Sequence, residues 1–414
     1  MRATGRNALL AGFVCLAAAG CSVQEVVVAD ETDLVVASTP VDEAMLLDIG
    51  IVEFEAGIDA DNDPEKTGVF DDIRMAETKY LAYHLKTTLQ GTGHWGAVRV
   101  IPSAEAFTDI TVSGRIARSD GEWVELEIFV DDAAGRHWFD KTYEAQTGLT
   151  SYSERRDRRR DPYQKVFNDI ANDLQQFVAQ IPPKQLQQTR QISELKFFGD
   201  MSPLAFGQHL GTGEDGIVAV NRLPAENDPA VQRLRQIRER DRLVVDTLNE
   251  HYANFYYGIS IPYRGWRKNA RQEQINYREV KRSARMQALV GIVVVAGALA
   301  IDTNSSGSRT TRNINRGLQN YGISEGLNRV IGAVQRRGEA NLHLDSIAEL
   351  SESFGAESAP MIVNDEGQER RLTGTAAAQY ESWRRLLKEI YEAETGFTQS
   401  IEVGAPARAP ESSL

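Results

Sequence analysis

The chain has 414 residues, 42% of them hydrophobic and 25% charged, with a formal net charge of -13. That composition is ordinary for a globular protein, and the length points to two or three domains. The acidic balance argues against nucleic acid as a main partner, because phosphate binding needs concentrated Lys and Arg.

Residues 1–20 read as an export leader. Arg2 and Arg6 form a charged start, Ala8 to Ala19 is an apolar run, and small residues close it at Ala18-Ala19-Gly20-Cys21. A cysteine directly after Ala-Gly resembles the lipobox of bacterial lipoproteins, with Ala18 standing where leucine is more usual. The resemblance implies a lipoprotein signal peptide, cleavage before Cys21, and lipid (palmitate among the chains) on Cys21 as the new N-terminus. The competing reading is a plain secretory signal or an uncleaved anchor with Cys21 incidental. Cys15 and Cys21 are the two cysteines of the chain. Loss of the leader removes Cys15, so no disulfide and no cysteine metal site is expected. Without Arg2 and Arg6 the charge of -13 becomes -15. Ser22, where an aspartate would retain an enteric lipoprotein in the inner membrane, implies the outer membrane, with the protein on the periplasmic face. Lipid chains contribute about 0.8 kcal/mol per buried methylene, so they anchor a protein without a spanning helix.

Residues 21–45 are acidic and short on structure signals, and a tether is expected there, the alternative being an edge strand at Glu25 to Ala29. Residues 46–182 read as an α/β domain. Leu47 to Phe54 is a β-branched strand, and Asp71 to Leu89 has helical spacing. Strand-like runs follow at Val98 to Ile101, Asp109 to Ile116, Trp123 to Val130 and His137 to Tyr143. Ser119-Asp120-Gly121 and Asp131 to Gly135 are turn chemistry between them. Val124, Leu126, Ile128 and Val130 alternate with Glu125, Glu127 and Phe129, the pattern of a half-buried antiparallel strand. Tyr163 to Gln180 is expected as a closing helix that stops at Pro182-Pro183.

This order resembles the N-terminal domain of TolB and the curli-secretion (CsgG-like) lipoproteins. The matching pieces are Ile49 to Phe54, the helix ending near Gly91 to Trp95, and Asp109 to Ile116. The resemblance covers about a third of the chain and implies a module for assembly and protein contact. The remainder departs from both proteins: no propeller repeats are visible, and no pair of long alternating membrane hairpins.

Residues 183–301 read as a helical region. Gln185 to Gly258 is expected helical, with Asp228 as cap and Pro229 at a first helical position. Val231, Leu234, Ile237, Val244, Val245, Leu248, Tyr252 and Phe255 form an apolar stripe, opposite Arg233, Arg235, Glu239, Arg240 and Asp241. Trp266 to Ile301 is charged in its first half, and residues 288–301 carry no charge. At 1.5 Å per residue that apolar part spans roughly 21 Å, short of the length a bilayer span needs. It admits three readings: a buried core helix, a membrane-inserted or re-entrant segment, or a helix interface built on Gly291 and Gly297 or strands that complete an oligomeric pore. A flexible linker is expected at 302–312. A helical C-terminal region is expected over 313–396, with a small hairpin around Asp365-Glu366-Gly367 and a last helix capped by Thr375 and stopped by Gly396. Residues 397–414 read as a disordered tail.

Candidate chemistry is sparse. Asp59, Asp61 and Asp63 are spaced like the start of a calcium loop, but Pro64 and Phe70 stand where glycine and glutamate are needed. An acidic surface loop is the better reading. The six histidines (His84, His94, His137, His209, His251, His343) form no helix-spaced metal pair. Gly211, Gly213 and Gly216 mimic a dinucleotide fingerprint without the strand and helix it requires, so a turn-rich loop is expected. No catalytic residue, metal ligand or cofactor is assigned. Arg155, Arg156, Arg158, Arg159 and Arg160 form a basic cluster, read as a solvated loop or as a contact for anionic headgroups or an acidic partner.

The expectation is an α+β protein: an N-terminal α/β sandwich-like domain with an antiparallel meander, then a mainly α-helical C-terminal region. Its expected function is that of an outer-membrane-anchored periplasmic scaffold or assembly/secretion component, not an enzyme. The membrane through lipid, and protein partners or further copies of itself, are its expected partners. The alternative is an envelope hydrolase of glycan or peptide with a carboxylate-based site, which requires a deep cleft holding close acidic residues.

Overall fold

A computed structural model describes residues 31–62, 69–103, 106–148, 150–153, 160–225, 227–301, 361–365 and 368–395. Cys21, Arg155, Arg156, Arg158 and Arg159, the 302–312 linker and the 397–414 tail lie outside the described residues.

The alternation in the meander builds one sheet. The strands are β1 (Ile49–Val52), β2 (Val98–Ile101), β3 (Ile110–Ser119), β4 (Trp123–Asp132) and β5 (His137–Gln146), in the order β2-β1-β3-β4-β5. β1 runs parallel to both β2 and β3, and β3-β4-β5 form the antiparallel meander. Val124, Leu126, Ile128 and Val130 are fully buried, whereas Phe129 on the other face is exposed. The period of two thus gives the sheet one core face.

Helix α1 (Asp71–Thr92) crosses from β1 to β2, as a parallel pair requires. It ends at Gly93, whose left-handed backbone closes the last turn. Helix α2 (Gln164–Val178) packs beside α1 and against β5. Together they bury Leu81, Leu85, Leu89, Phe167, Ile170 and Leu174 in the core with the sheet.

The segment expected as a free tether is docked where it is described. Asn168 Nδ2 donates to Thr32 O (2.7 Å), Asn172 Nδ2 donates to Asp33 O (2.9 Å), and Val35 N donates to Asn172 Oδ1 (2.9 Å). Ala37 N donates to Thr92 O at 2.8 Å. Two asparagines on α2 satisfy the backbone of this segment as a partner strand would, and Leu34 packs against the first core.

Helices α3 (Pro183–Met201) and α4 (Pro203–Phe206) follow, then a short hairpin of β6 (Leu210–Thr212) and β7 (Val218–Val220). The expectation of helix from Gln185 onward is corrected here. The Gly-punctuated run Gly211 to Gly216 is a hairpin turn, closed by Gly213 N donating to Ile217 O at 2.9 Å. Helix α5 (Pro229–Ile301) is then one continuous helix of 73 residues, about 110 Å long at 1.5 Å per residue. Asp228 caps it, accepting from Ala230 N at 2.9 Å. Pro262 lies inside α5, at a typical cost of about 3 kcal/mol. Phe255, Ile259, Tyr263 and Trp266 are buried on either side of it. At roughly 1.5–3 kcal/mol for each large apolar side chain, that burial outweighs the break.

The described C-terminal part holds a hairpin, β8 (Met361–Asp365) with β9 (Gln368–Leu372), and helix α6 (Ala376–Thr395). Thr375 Oγ1 accepts from Ala378 N at 3.2 Å, capping α6. Tyr380, Trp383 and Leu387 of α6 join Leu234, Ile237 and Leu248 of α5 and Phe197 and Phe198 of α3 in a second core. The architecture is α+β: a five-stranded mixed sheet followed by helices.

Candidate functional site

The long helix α5 is joined to the sheet domain by a line of polar contacts along its length. In its first third, Asn249 Oδ1 accepts from Val100 N at 2.8 Å, and Asn249 Nδ2 donates to Val100 O at 2.8 Å. Asn249 thereby stands in for a neighbouring strand at the β2 edge. Arg99 makes a forked contact with Asp246, with Nε 2.6 Å and Nη2 3.0 Å from the two carboxylate oxygens. Tyr252 donates to Glu53 at 2.6 Å.

Further along, the contacts become buried ionic ones. Arg267, 1% exposed, donates through Nη1 and Nη2 to the two oxygens of Asp161 at 2.9 and 2.8 Å. Its guanidinium carbon lies 4.2 Å from the ring centre of Tyr263, 4.9 Å from that of Tyr163 and 5.7 Å from that of Tyr80. Burial alone would raise the Asp161 pKa, but the Arg267 charge outweighs it and holds the carboxyl well below the usual range. Tyr263 and Ser119 both donate to Glu77 Oε1 at 2.5 Å, and Arg74 Nε lies 3.0 Å from Glu77 Oε2. His84 on α1 meets Tyr256 on α5 at 2.7 Å and Gln164 on α2 at 2.9 Å. Burial lowers the His84 pKa, which keeps the ring toward its neutral form.

Gly121 makes this docking sterically possible. It has φ 81°, and a Cβ there would lie 2.2 Å from Arg267 O on the helix backbone. The turn residues read as Ser119-Asp120-Gly121 are therefore also a helix-contact surface. Arg271 Nε continues the line, donating to Thr147 Oγ1 at 3.1 Å. Past Gln274 the backbone of α5 runs on to Ile301, about 40 Å further. Those residues include the charged stretch and the uncharged residues 288–301. Among the described residues, no helix is long and apolar enough to cross a membrane.

A second feature is an open groove of about 420 Å³ between α3 and α5. α5 contributes Arg235, Arg238, Glu239 and Arg242, and α3 contributes Gln187, Arg190, Gln191 and Glu194. Each set follows the i, i+3, i+4, i+7 spacing that puts residues on one helix face. Asp109, at the start of β3, closes the floor. Its pKa is raised by burial and by the neighbouring Asp48 carboxylate, although it accepts from Asp48 N at 2.9 Å.

The sequence-derived candidates fare unevenly. Cys21 and four of the five cluster arginines lie outside the described residues. Arg160 pairs with Glu31 at 3.2 Å, which ties the basic loop to the docked N-terminal segment. Asp59 to Asn62 forms a turn, with Asn62 Nδ2 donating to Val69 O at 2.9 Å and to Asp71 at 2.8 Å. Asp241, expected on the polar face of α5, is 6% exposed and faces α6, where Tyr380 donates to it at 3.4 Å. Arg238 is likewise buried. A two-faced reading of the helix missed both, because α5 is packed on more than one side.

No family model matches the chain, and no curated protein matches it. Among solved structures, a PelC dodecamer from Paraburkholderia phytofirmans is similar over 39% of this chain and 98% of that chain. The identity is 13% and the TM-score 0.16, a likeness that carries no argument.

Proposed function

We propose that this protein is a non-enzymatic scaffold or assembly/secretion component of the bacterial cell envelope, held by lipid at Cys21 on the periplasmic face of the outer membrane. The observation that supports it is the division of labour within α5. Its first part is fastened to the sheet domain by Asn249, Tyr263 and Arg267, and its helical backbone then carries the uncharged residues 288–301 to about 50 Å beyond the last of these fastenings. A rigid arm ending in apolar residues suits contact with other copies or with an envelope partner, since apolar surface gains most by leaving water. The buried Arg267–Asp161 pair holds that arm directly, and Glu77, paired with Arg74 on α1, holds it by accepting from Tyr263.

The test is crosslinking in native membranes followed by identification of the partners, with Cys21→Ser as the unanchored control. The expected result is membrane fractionation that depends on Cys21, palmitate incorporation that the variant loses, and crosslinked species larger than one chain. A strictly monomeric protein in detergent without crosslinked partners refutes the scaffold reading.

The hydrolase reading has one observation in its favour, the buried Asp109 with its raised pKa at the floor of an open groove. It requires cell-wall or peptide hydrolysis that Asp109→Asn abolishes.

A further inference from the structure

We infer that the groove between α3 and α5 is a binding site for a phosphate-type oxyanion, recognised by the Arg238 guanidinium. Arg238 is 8% exposed and lies in the groove wall. Its Nη2 donates to Ser193 Oγ at 2.8 Å and to Phe107 O at 3.3 Å. Among the described residues, Nε and Nη1 have no hydrogen-bond partner, and no carboxylate lies within ion-pair distance of the group. A buried guanidinium normally finds an anion, because desolvating the charge is costly otherwise. Burial and the Arg242 charge act against the charged form of Arg238, while the Asp109, Glu194 and Asp48 carboxylates favour it from beyond ion-pair distance. A bound anion would add to that support.

The other charges of the wall are already engaged. Arg235 Nε and Nη2 hold Glu194 at 2.8 and 3.3 Å. Arg242 holds Glu239 at 2.8 Å and Asp48 at 3.0 Å. Arg190 Nη1 donates to Glu43 O at 2.8 Å, and its remaining donors are available. Asp109 is the remaining carboxyl, and its raised pKa reduces its opposition to an incoming anion. Arg238 from one helix and Arg190, Gln187 and Gln191 from the other supply donors from two sides. A tetrahedral oxyanion, with acceptors in several directions, uses such a set more fully than a planar carboxylate. At about 420 Å³ the open groove has room for more than the phosphate itself. The groove thus admits a phosphate ester as well as free phosphate, supplied either as a soluble ester or as a phospholipid headgroup.

The full chain in detergent, titrated calorimetrically with inorganic phosphate and with glycerol 3-phosphate, tests this. One saturable site is expected, weakened about tenfold or more by Arg238→Gln and several-fold by Arg190→Gln, with Arg118→Gln as a control away from the groove. Arg190 is half-buried at the rim, so its variant keeps the test valid if Arg238→Gln does not fold. Vesicles of phosphatidylglycerol or of phosphatidylcholine, offered to the Cys21→Ser protein, separate the two sources. Binding to phosphatidylglycerol that Arg238→Gln or Arg190→Gln reduces identifies a headgroup, and binding of the free ester alone identifies a soluble ligand. Absence of saturable binding to either source, or binding that survives both substitutions, overturns the proposal.

Discussion

Asn249, in the first third of the 73-residue helix, makes the two backbone hydrogen bonds of Val100 that a sixth strand would otherwise make. A sheet edge exposes such groups to further pairing, and proteins cover them in various ways. Here one amide side chain caps the edge and registers a 73-residue helix against the sheet at the same point.

Replacing Asn249 by Leu is therefore expected to cost about 1–3 kcal/mol, because Val100 N–H and C=O lose their partners in a buried setting. Urea unfolding measures the loss. Amide hydrogen exchange should show faster exchange at Val100, and unchanged exchange there would contradict the capping role.

Arg267 and Asp161 form a coupled pair. Arg267→Met should destabilise by about 3–5 kcal/mol, since it strands the buried Asp161 charge. Adding Asp161→Asn to that variant should recover part of the loss, because no uncompensated charge remains. A double variant as unstable as the sum of the two single variants would show that the pair has no mutual dependence.

Gly121→Ala tests the close approach of the β3–β4 turn to α5. The substituent meets Arg267 O and the residue loses its favoured positive φ, so the helix must shift. A cost above about 1 kcal/mol is expected, with increased proteolysis of α5 near Arg267. A variant as stable and protease-resistant as the parent would rule out the steric contact.

Acid should loosen the α1–α5 contact through His84. Burial lowers its pKa from the ordinary 6.5, so the unfolded state binds more protons between the two values. Stability from this group is complete above the unfolded value and is lost as pH falls through it toward the folded value. Asp161 favours the protonated ring, whereas Arg267 and burial oppose it. The melting temperature should therefore fall on acidification from neutral pH, and His84→Gln should fall less. Glu77, whose pKa is raised by burial, works in the opposite sense and is common to both proteins. Equal slopes in the two proteins would remove His84 as the cause.

Charge at the end of the arm should break assembly and spare the fold. Val294→Arg places a cation within the uncharged residues 288–301. It is expected to reduce crosslinked species while leaving the urea midpoint unchanged. Crosslinking at the parent level would show that this segment makes no contact with a partner.

Much of the sheet domain was legible from the residues alone. The alternation of Val124, Leu126, Ile128 and Val130 sets which face is buried, and the β-branched run at Ile49 to Val52 marks the central parallel strand. These are local patterns, and the period of the side chains is enough to read them. Asp228 and Pro229 likewise announced the start of α5 through cap chemistry that acts within one turn.

The sequence by itself thus determined the α+β order, the antiparallel meander and the starts of α1, α5 and α6. Tertiary structure decided the rest. The pairing of Arg267 with Asp161 spans 106 residues, and that of Asn249 with Val100 spans 149. No local period announces such partners. Arg238 and Asp241 sit on a helix that is packed on several sides, so only the arrangement of α3, α5 and α6 distinguishes a buried charge from a solvated one. Desolvation depends on what lies across the helix, and that neighbour is set by the whole fold.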